Sequence, residues 1–470
     1  MKVKFNCILF FLFQTFISNS QSGLIDFSFR TDFDCNSFSL TQPYISPMSV
    51  QSDGKIVIGG SCRISFINGR KQDNLFRLNT DGTLDTTFKV GKGASNSINF
   101  ISVLPNDKIL ISCTVSCNVL SFNGIIYPGM VLLNSDGSVD SNFHRSIFKH
   151  IDRALSIAVR NNEIAVYGFV GKEFVLLKFK NDGSLDTTFK KSIIYPSSSS
   201  GRDIYYLSDG RLILRRVDTA NWSKTTLQIL KKDGSKDLSF TLDKQVQPNF
   251  LQQIKEQQDG KFLLFGDLSI LNGASFNSVV RLNSDGSLDK SFKTPSQLKD
   301  KSLAGLRSGL IQRDKKILLC GSFKGFDGII RVSLLRLNED GTLDTSFVIE
   351  DAFNNSILEI ADYFYGKVLV SGIFNSYGSF MTSRVARINV VDQDDFQIYV
   401  FPNPGNGIFK VDANKEIALV VVTDFLGREI YRYVPDNPKI EINISDKARG
   451  TYFLTIFSNN QSYVRKILKL

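Results

Sequence analysis

The chain has 470 residues, 56 Lys and Arg against 46 Asp and Glu, two histidines and six cysteines. That length allows two or three domains with sizeable cores, and so few cysteines exclude a disulfide scaffold. Two histidines, neither in a His-x-x-x-His pair, leave little for a histidine-rich metal centre or a Ser-His-Asp triad.

Residues 1–20 read as a secretory signal peptide. Lys2 and Lys4 precede the apolar run Cys7–Phe13, which is too short to span a bilayer, and Ser18-x-Ser20 places cleavage between Ser20 and Gln21. No later apolar run has spanning length, so no transmembrane segment is expected after signal removal.

From Gly23 the chain repeats itself. Asp81-Gly82-x-x-Asp85-x-x-Phe88 returns at Asp136–Phe143, Asp182–Phe189, Asp233–Phe240, Asp285–Phe292 and Asp340–Phe347, and its tail alone stands at Gly23–Phe29. Successive glycines lie 59, 55, 46, 51, 52 and 55 residues apart, the period of a repeat architecture. Asp-Gly between apolar runs predicts a tight turn. The second aspartate of each copy (Asp26, Asp85, Asp140, Asp186, Asp237, Asp289, Asp344) is expected to fold onto backbone amides. The phenylalanine three residues on (Phe29, Phe88, Phe143, Phe189, Phe240, Phe292, Phe347) is expected to be a buried plug. Asn79, Asp81 and Asp85 share part of a calcium-loop pattern, but the bidentate Glu and the EF-hand spacing are missing, and Lys180 and Lys231 replace the Asn in two copies. A plain turn is preferred over calcium, and no cofactor is expected.

Between these copies lie seven apolar runs after turns: SDGKIVIGG from Ser52, then runs from Asn106, Asn161, Ser208, Gln258, Arg313 and Tyr365. A continuous apolar run means that both strand faces are buried. Asn-Gly or Asp-Gly loops follow at Asn68, Asn123, Asn272 and Asp327, then a strand ending in Arg-Leu-Asn or similar. Four short strands per unit is the blade pattern of a β-propeller. These elements resemble the delta-60 repeat, a bacterial propeller family, best at 257–292 and 312–347. The third and fourth units depart from it, lacking the Asn-Gly loop. The array opens mid-unit at Gly23–Phe29 and ends at Arg387-Ile388-Asn389, so the expected fold is an all-β, seven-bladed propeller over 21–391, closed by its N-terminal strand.

Charge and chemistry add little. The basic excess lies in the propeller, densest from Lys299 through Arg313 to Arg336, and reads as a solvated surface. An exported protein is not expected to bind nucleic acid, and an anionic surface polysaccharide fits the charge better; the partner expected is a glycan or a surface protein. No catalytic constellation stands out around His144 or His150, no glycosidase pair can be picked, and no ligand-binding residue is assigned. Trp222, in the divergent fourth unit, reads as a half-buried loop aromatic.

After Asn389 the period stops. Residues 392–470 hold ten basic and ten acidic side chains and six or seven strand-like runs, which predict a small Ig-like β-sandwich. Tyr399-Val400-Phe401-Pro402-Asn403-Pro404, Gly407, Asp424 to Arg428 with Gly427, Gly450-Thr451-Tyr452 and Val464 to Lys469 with Lys466 resemble the type A C-terminal sorting domain of the type IX secretion system. That resemblance implies handling by the secretion machinery, export to the medium or the outer-membrane surface of a Gram-negative bacterium, and removal of the tail there. The expected function is a non-catalytic binding propeller; the alternative is an exported hydrolase or lyase of polysaccharide, working at the central opening.

Overall fold

The computed structural model describes residues 25–390 and 398–470, apart from short segments of which 194–203 and 294–304 are the longest. The expected cleavage site at Ser20 and Gln21 lies outside the described residues. Among the described residues strands dominate, with one short helix at Ser141–Ile147.

Up to Asn389 the described strands form seven antiparallel sheets of three or four strands, with three two-stranded ribbons at their ends. The fifth sheet shows the pattern: Val246–Glu256, Phe262–Ile270 and Ser275–Leu282 pair in chain order, and an isolated bridge joins Leu282 to Leu288. The equivalent bridge recurs between Leu78 and Leu84, Leu133 and Val139, Phe179 and Leu185, Leu230 and Lys236, and Leu337 and Leu343. In the seventh sheet the partner comes from the other end of the array, Ile25 bridging Ile388.

The continuous apolar runs have a simple cause. In the sixth sheet Ile317 and Leu319 point into a core shared with the fifth sheet, while Leu318 and Cys320 point into a core shared with the seventh. All four are fully buried. Because strand side chains alternate faces and each face meets a neighbouring sheet, both parities must be apolar. Seven such clusters join consecutive sheets, and one of them packs Phe29, Ile45 and Phe76 near the chain start against Tyr363, Leu369 and Val385 near Asn389.

Two units differ from expectation for local reasons. In the third, Glu163–Val170 runs without a break into Glu173–Lys180 through a tight turn at Gly171, which explains its shortness. In the second, Asp140 caps the helix, accepting from the Asn142 and Phe143 amides, so its copy of the motif is helical where a turn was expected. Asn123-Gly124 takes left-handed backbone between Leu120–Phe122 and Ile125–Tyr127.

The described residues from Ile398 on make two sheets, one of Ile398–Phe401, Ile408–Ala413 and Lys439–Asn443, the other of Leu419–Asp424, Glu429–Tyr433, Gly450–Ser458 and Gln461–Lys469. They enclose one core around Phe409, Val420, Val422, Leu454 and Ile467. Cysteines contribute more than the sequence suggested: Cys35 is bonded to Cys62, Cys113 is also in a disulfide, and Cys320 is free and buried.

Candidate functional site

The recurring aspartate does more than turn the chain. In the first unit Asp85 Oδ1 accepts from the Thr87 amide and hydroxyl, while Oδ2 accepts from Arg77 Nε at 2.8 Å and Lys55 Nζ at 2.9 Å. Arg77 is the penultimate residue of the strand Lys71–Leu78 and Lys55 directly precedes the strand Ile56–Ser65, so one carboxylate ties two strands of the sheet to the segment that follows them. Asp289 binds Arg281 and Lys261 in the same way, and Asp344 binds Arg336 and Lys316. Asp26 takes Arg387 Nε and Lys367 Nζ, each at 2.7 Å. The divergent units keep a reduced version: Asp140 with Lys108, Asp186 with Lys178, Asp237 with Arg211.

Burial alone would raise the Asp26 carboxyl. Hydrogen bonds from Lys367 and Ser28 and the Arg387 charge outweigh it and hold the group well below the usual carboxylate range. Asp85, Asp289 and Asp344 are lowered similarly, against burial, by Thr or Ser and Lys hydrogen bonds and by their arginines. Asp237, held by Ser239 and Arg211, falls to about 2.

The motif phenylalanine lies under the same arginine, 4.4 Å for Arg77 over Phe88 and 4.6 Å for Arg336 over Phe347. All seven are buried. Each arginine then reaches the next sheet: Arg77 Nη1 donates to the Ser135 carbonyl, Arg281 to Glu339 and Arg387 to Thr80, each at 2.6 Å. The Asp-Gly turn is met by backbone as well. The Lys89 amide donates to the Asp136 carbonyl, Thr241 to Asp285, Lys293 to Asp340 and Arg30 to Asp81. This contact explains the invariant glycine: a Cβ on Gly286 would meet the Thr241 carbonyl oxygen at 2.4 Å and one on Gly82 the Arg30 carbonyl oxygen at 2.8 Å, both on left-handed backbone. The basic stretch read as solvated surface is corrected in part, since Arg336 is buried in its clamp.

Among the described residues neither histidine is paired with a carboxylate or a nucleophile. His144 is buried among Tyr127, Phe143 and Phe148, and its Nε2 accepts from the Leu132 amide. Burial lowers its pKa to about 4, against the opposing pull of the Asp140 charge. Trp222 lies on the strand Asn221–Leu230.

The tail residues singled out by sequence mostly close turns and edges. Asn403 staples the opening of the tail to its last strand, donating to the Lys466 carbonyl and accepting from the Leu468 amide. The Gly407 carbonyl accepts from Ile444, Gly427 closes the Asp424–Arg428 turn, and Tyr452 donates to the Ala448 carbonyl. Gly450 has left-handed backbone; Lys466 is exposed; Pro402 and Pro404 flank Asn403.

Pro402 and Pro404 also line a cleft of about 480 Å³. Its other walls come from the ends of the first strands of five sheets: Val50 to Ser52, Ser102 to Asp107, Val159 and Asn161, Arg313, and Asp362 with Tyr363. Two carboxylates reach it. Asp107 is occupied by the Ser52 amide and hydroxyl; Asp362 is solvent-exposed at the cleft wall, and the surrounding protein pushes its carboxyl up against the opposing charge of Arg313 less than a closed site would. Among the described residues no group of three His, Cys, Asp or Glu is placed to hold a metal.

Family comparisons match this architecture in two parts. A domain of unknown function described as a β-propeller (DUF5122) matches residues 51–88, 257–292 and 312–347, and the secretion system C-terminal sorting domain matches 399–469. The chain is an array of β-propeller repeats ending in a type IX sorting tail. The tail indicates export to the cell surface or the medium and handling by the secretion machinery. Each matched propeller segment holds a full Asp–Arg–Lys clamp, and the fourth, Asp26 with Arg387 and Lys367, lies outside them.

No curated protein matches the sequence. Solved structures of similar shape include PorZ, an essential bacterial surface component of the type-IX secretion system of Porphyromonas gingivalis. It is 11% identical, with a TM-score of 0.30, over 90% of this chain and 74% of that one. The extracellular domain of BT4673, a hybrid two-component system from B. thetaiotaomicron, is 12% identical with a TM-score of 0.45, over 92% of this chain; the chain spans 52% of its length. The propeller domain of the Trilobed protease from Pyrococcus furiosus is 10% identical with a TM-score of 0.41, over 76% and 100%.

The arginine and lysine partners were missed by sequence reasoning, although Arg-Leu-Asn and Asp-Gly-Lys recur with the aspartate and carried the signal.

Proposed function

We propose that residues 21–391 form a seven-bladed propeller closed by its N-terminal strand, that 392–470 are an Ig-like sorting domain, and that residues 1–20 are a signal peptide. The protein is then an exported, non-catalytic binding propeller of a Gram-negative bacterium, taking a glycan or protein ligand at the surface or after release. The sorting-tail match carries the export half. Closure is supported by the Ile25–Ile388 bridge, by the Arg30–Asp81 bond that copies the bond between other units, and by the core shared between the first and last sheets.

The binding half rests on what the carboxylates are doing. The motif aspartates are taken up by arginine or lysine, and four of them are held far below the range a general acid needs. Their role, with the motif phenylalanines, is structural on this reading. In the cleft Asp107 is held by the Ser52 amide and hydroxyl, which leaves Asp362 alone, short of a glycosidase pair. Two measurements test the reading. The protein should vanish from the medium and the cell surface when type IX secretion is disabled. Purified protein should bind members of a glycan panel or surface-protein set without turning them over; release of reducing ends or unsaturated sugars would favour a hydrolase or lyase.

A further inference from the structure

One turn of the propeller departs from the rest where the tail begins. In five units the amide at the third turn position closes its own turn: Gly54 to the Gln51 carbonyl, Asp107 to Leu104, Gly210 to Leu207, Gly260 to Gln257 and Lys315 to Gln312. In the seventh unit the corresponding amide, Gly366, donates instead to the Tyr399 hydroxyl of the tail at 2.7 Å. The Gly366 carbonyl accepts from the Val390 amide, so one residue holds both the end of the propeller's last strand and the start of the tail.

A second departure meets the same ring. Where other units have Ser52, Ser208 or Gln258, the sixth has Arg313, whose guanidinium lies 4.9 Å over the Tyr399 ring. Tyr399 is only 8% exposed. The following residues to Pro404 lie over the place where the first strands of five sheets converge.

From this geometry we infer that the sorting tail is a cap. Tyr399 is its latch, seated between Arg313 and the Gly366 amide, and Tyr399–Pro404 cover the axial opening on the side of the Asp-Gly turns for as long as the tail is attached. A ligand then meets only the rim of this mouth, where Arg313 and Asp362 stay exposed, until the tail undocks or is cut away. The latch itself stands on the contacts of the intact chain; the unmasking step rests on the export reading above.

Amide hydrogen exchange on the full chain tests it. Tyr399→Phe removes the acceptor of the Gly366 amide and keeps the ring, so exchange at Gly366 should rise about five- to tenfold while Gly54 and Gly260 stay unchanged. Arg313→Ala should raise exchange at Gly366 and across 398–401, and it provides the same readout should the tyrosine variant fail to fold. Unchanged Gly366 exchange in folded samples of either variant overturns the cap. Export is scored separately: normal export with unchanged exchange removes the cap and leaves the function standing. Expected exchange in a chain that is never exported removes the function and leaves the latch.

Discussion

Arg387 Nε lies 2.7 Å from Asp26 Oδ2, across 361 residues of sequence. The pair copies Arg77 with Asp85 and Arg336 with Asp344, where the partners are only eight residues apart. The two ends of the array are thus joined by the contact that joins strands within a unit.

Asp26→Asn should therefore destabilise the propeller as strongly as a cut within a unit. Both Arg387 and Asp26 are under 10% exposed at the side chain, and Lys367 would lose its partner too. Breaking such a buried pair costs about 3 kcal/mol or more. Urea unfolding should show a matching loss for Asp26→Asn and Asp85→Asn; an unshifted midpoint for Asp26→Asn alone would count against closure of the array by residues 25–30.

Stability should fall in two acid steps. His144 has a folded pKa of about 4 against an ordinary 6.5, so its contribution is full above 6.5 and is lost as pH drops toward 4, by about 3 kcal/mol. The clamp aspartates are lowered below their ordinary 3.8, so their contribution is present above that value and disappears only as pH falls through their folded values, near 2 for Asp237. Denaturant midpoints from pH 8 to 3 should show the first step in the wild type and not in His144→Asn.

Replacing Cys35 and Cys62 by serine should lower stability by roughly 3 kcal/mol, because the bridge closes a loop of 27 residues in the unfolded chain. The double variant is the right comparison, since reductant would also open the bond at Cys113. Equal unfolding midpoints would contradict a formed bridge.

Asn403→Ala should loosen the tail without touching the propeller. It removes two hydrogen bonds between the tail's opening and its last strand, a loss of about 1–2 kcal/mol. Exchange at the Leu468 amide should rise, and the amount of protein exported should drop; a fully protected Leu468 would show that the staple is not formed in solution.

Much of this architecture is local, and for that reason it is legible in the sequence. The Asp-Gly turn, the aspartate that binds the amide two residues on and the alternation of apolar strands depend on neighbours within a few positions, and the period of about fifty repeats them. The tail's motifs are likewise short and contiguous. The clamp partners, the burial of Arg336 and the Tyr399–Arg313 seat depend on which strands come to lie side by side. A lysine some thirty residues upstream of its aspartate, or an arginine 361 residues downstream, recurs with the repeat, but its recurrence does not say which charge it will meet. An ion pair is set by distance in space and by the water excluded around it, and only the packing of one sheet against the next fixes those two quantities.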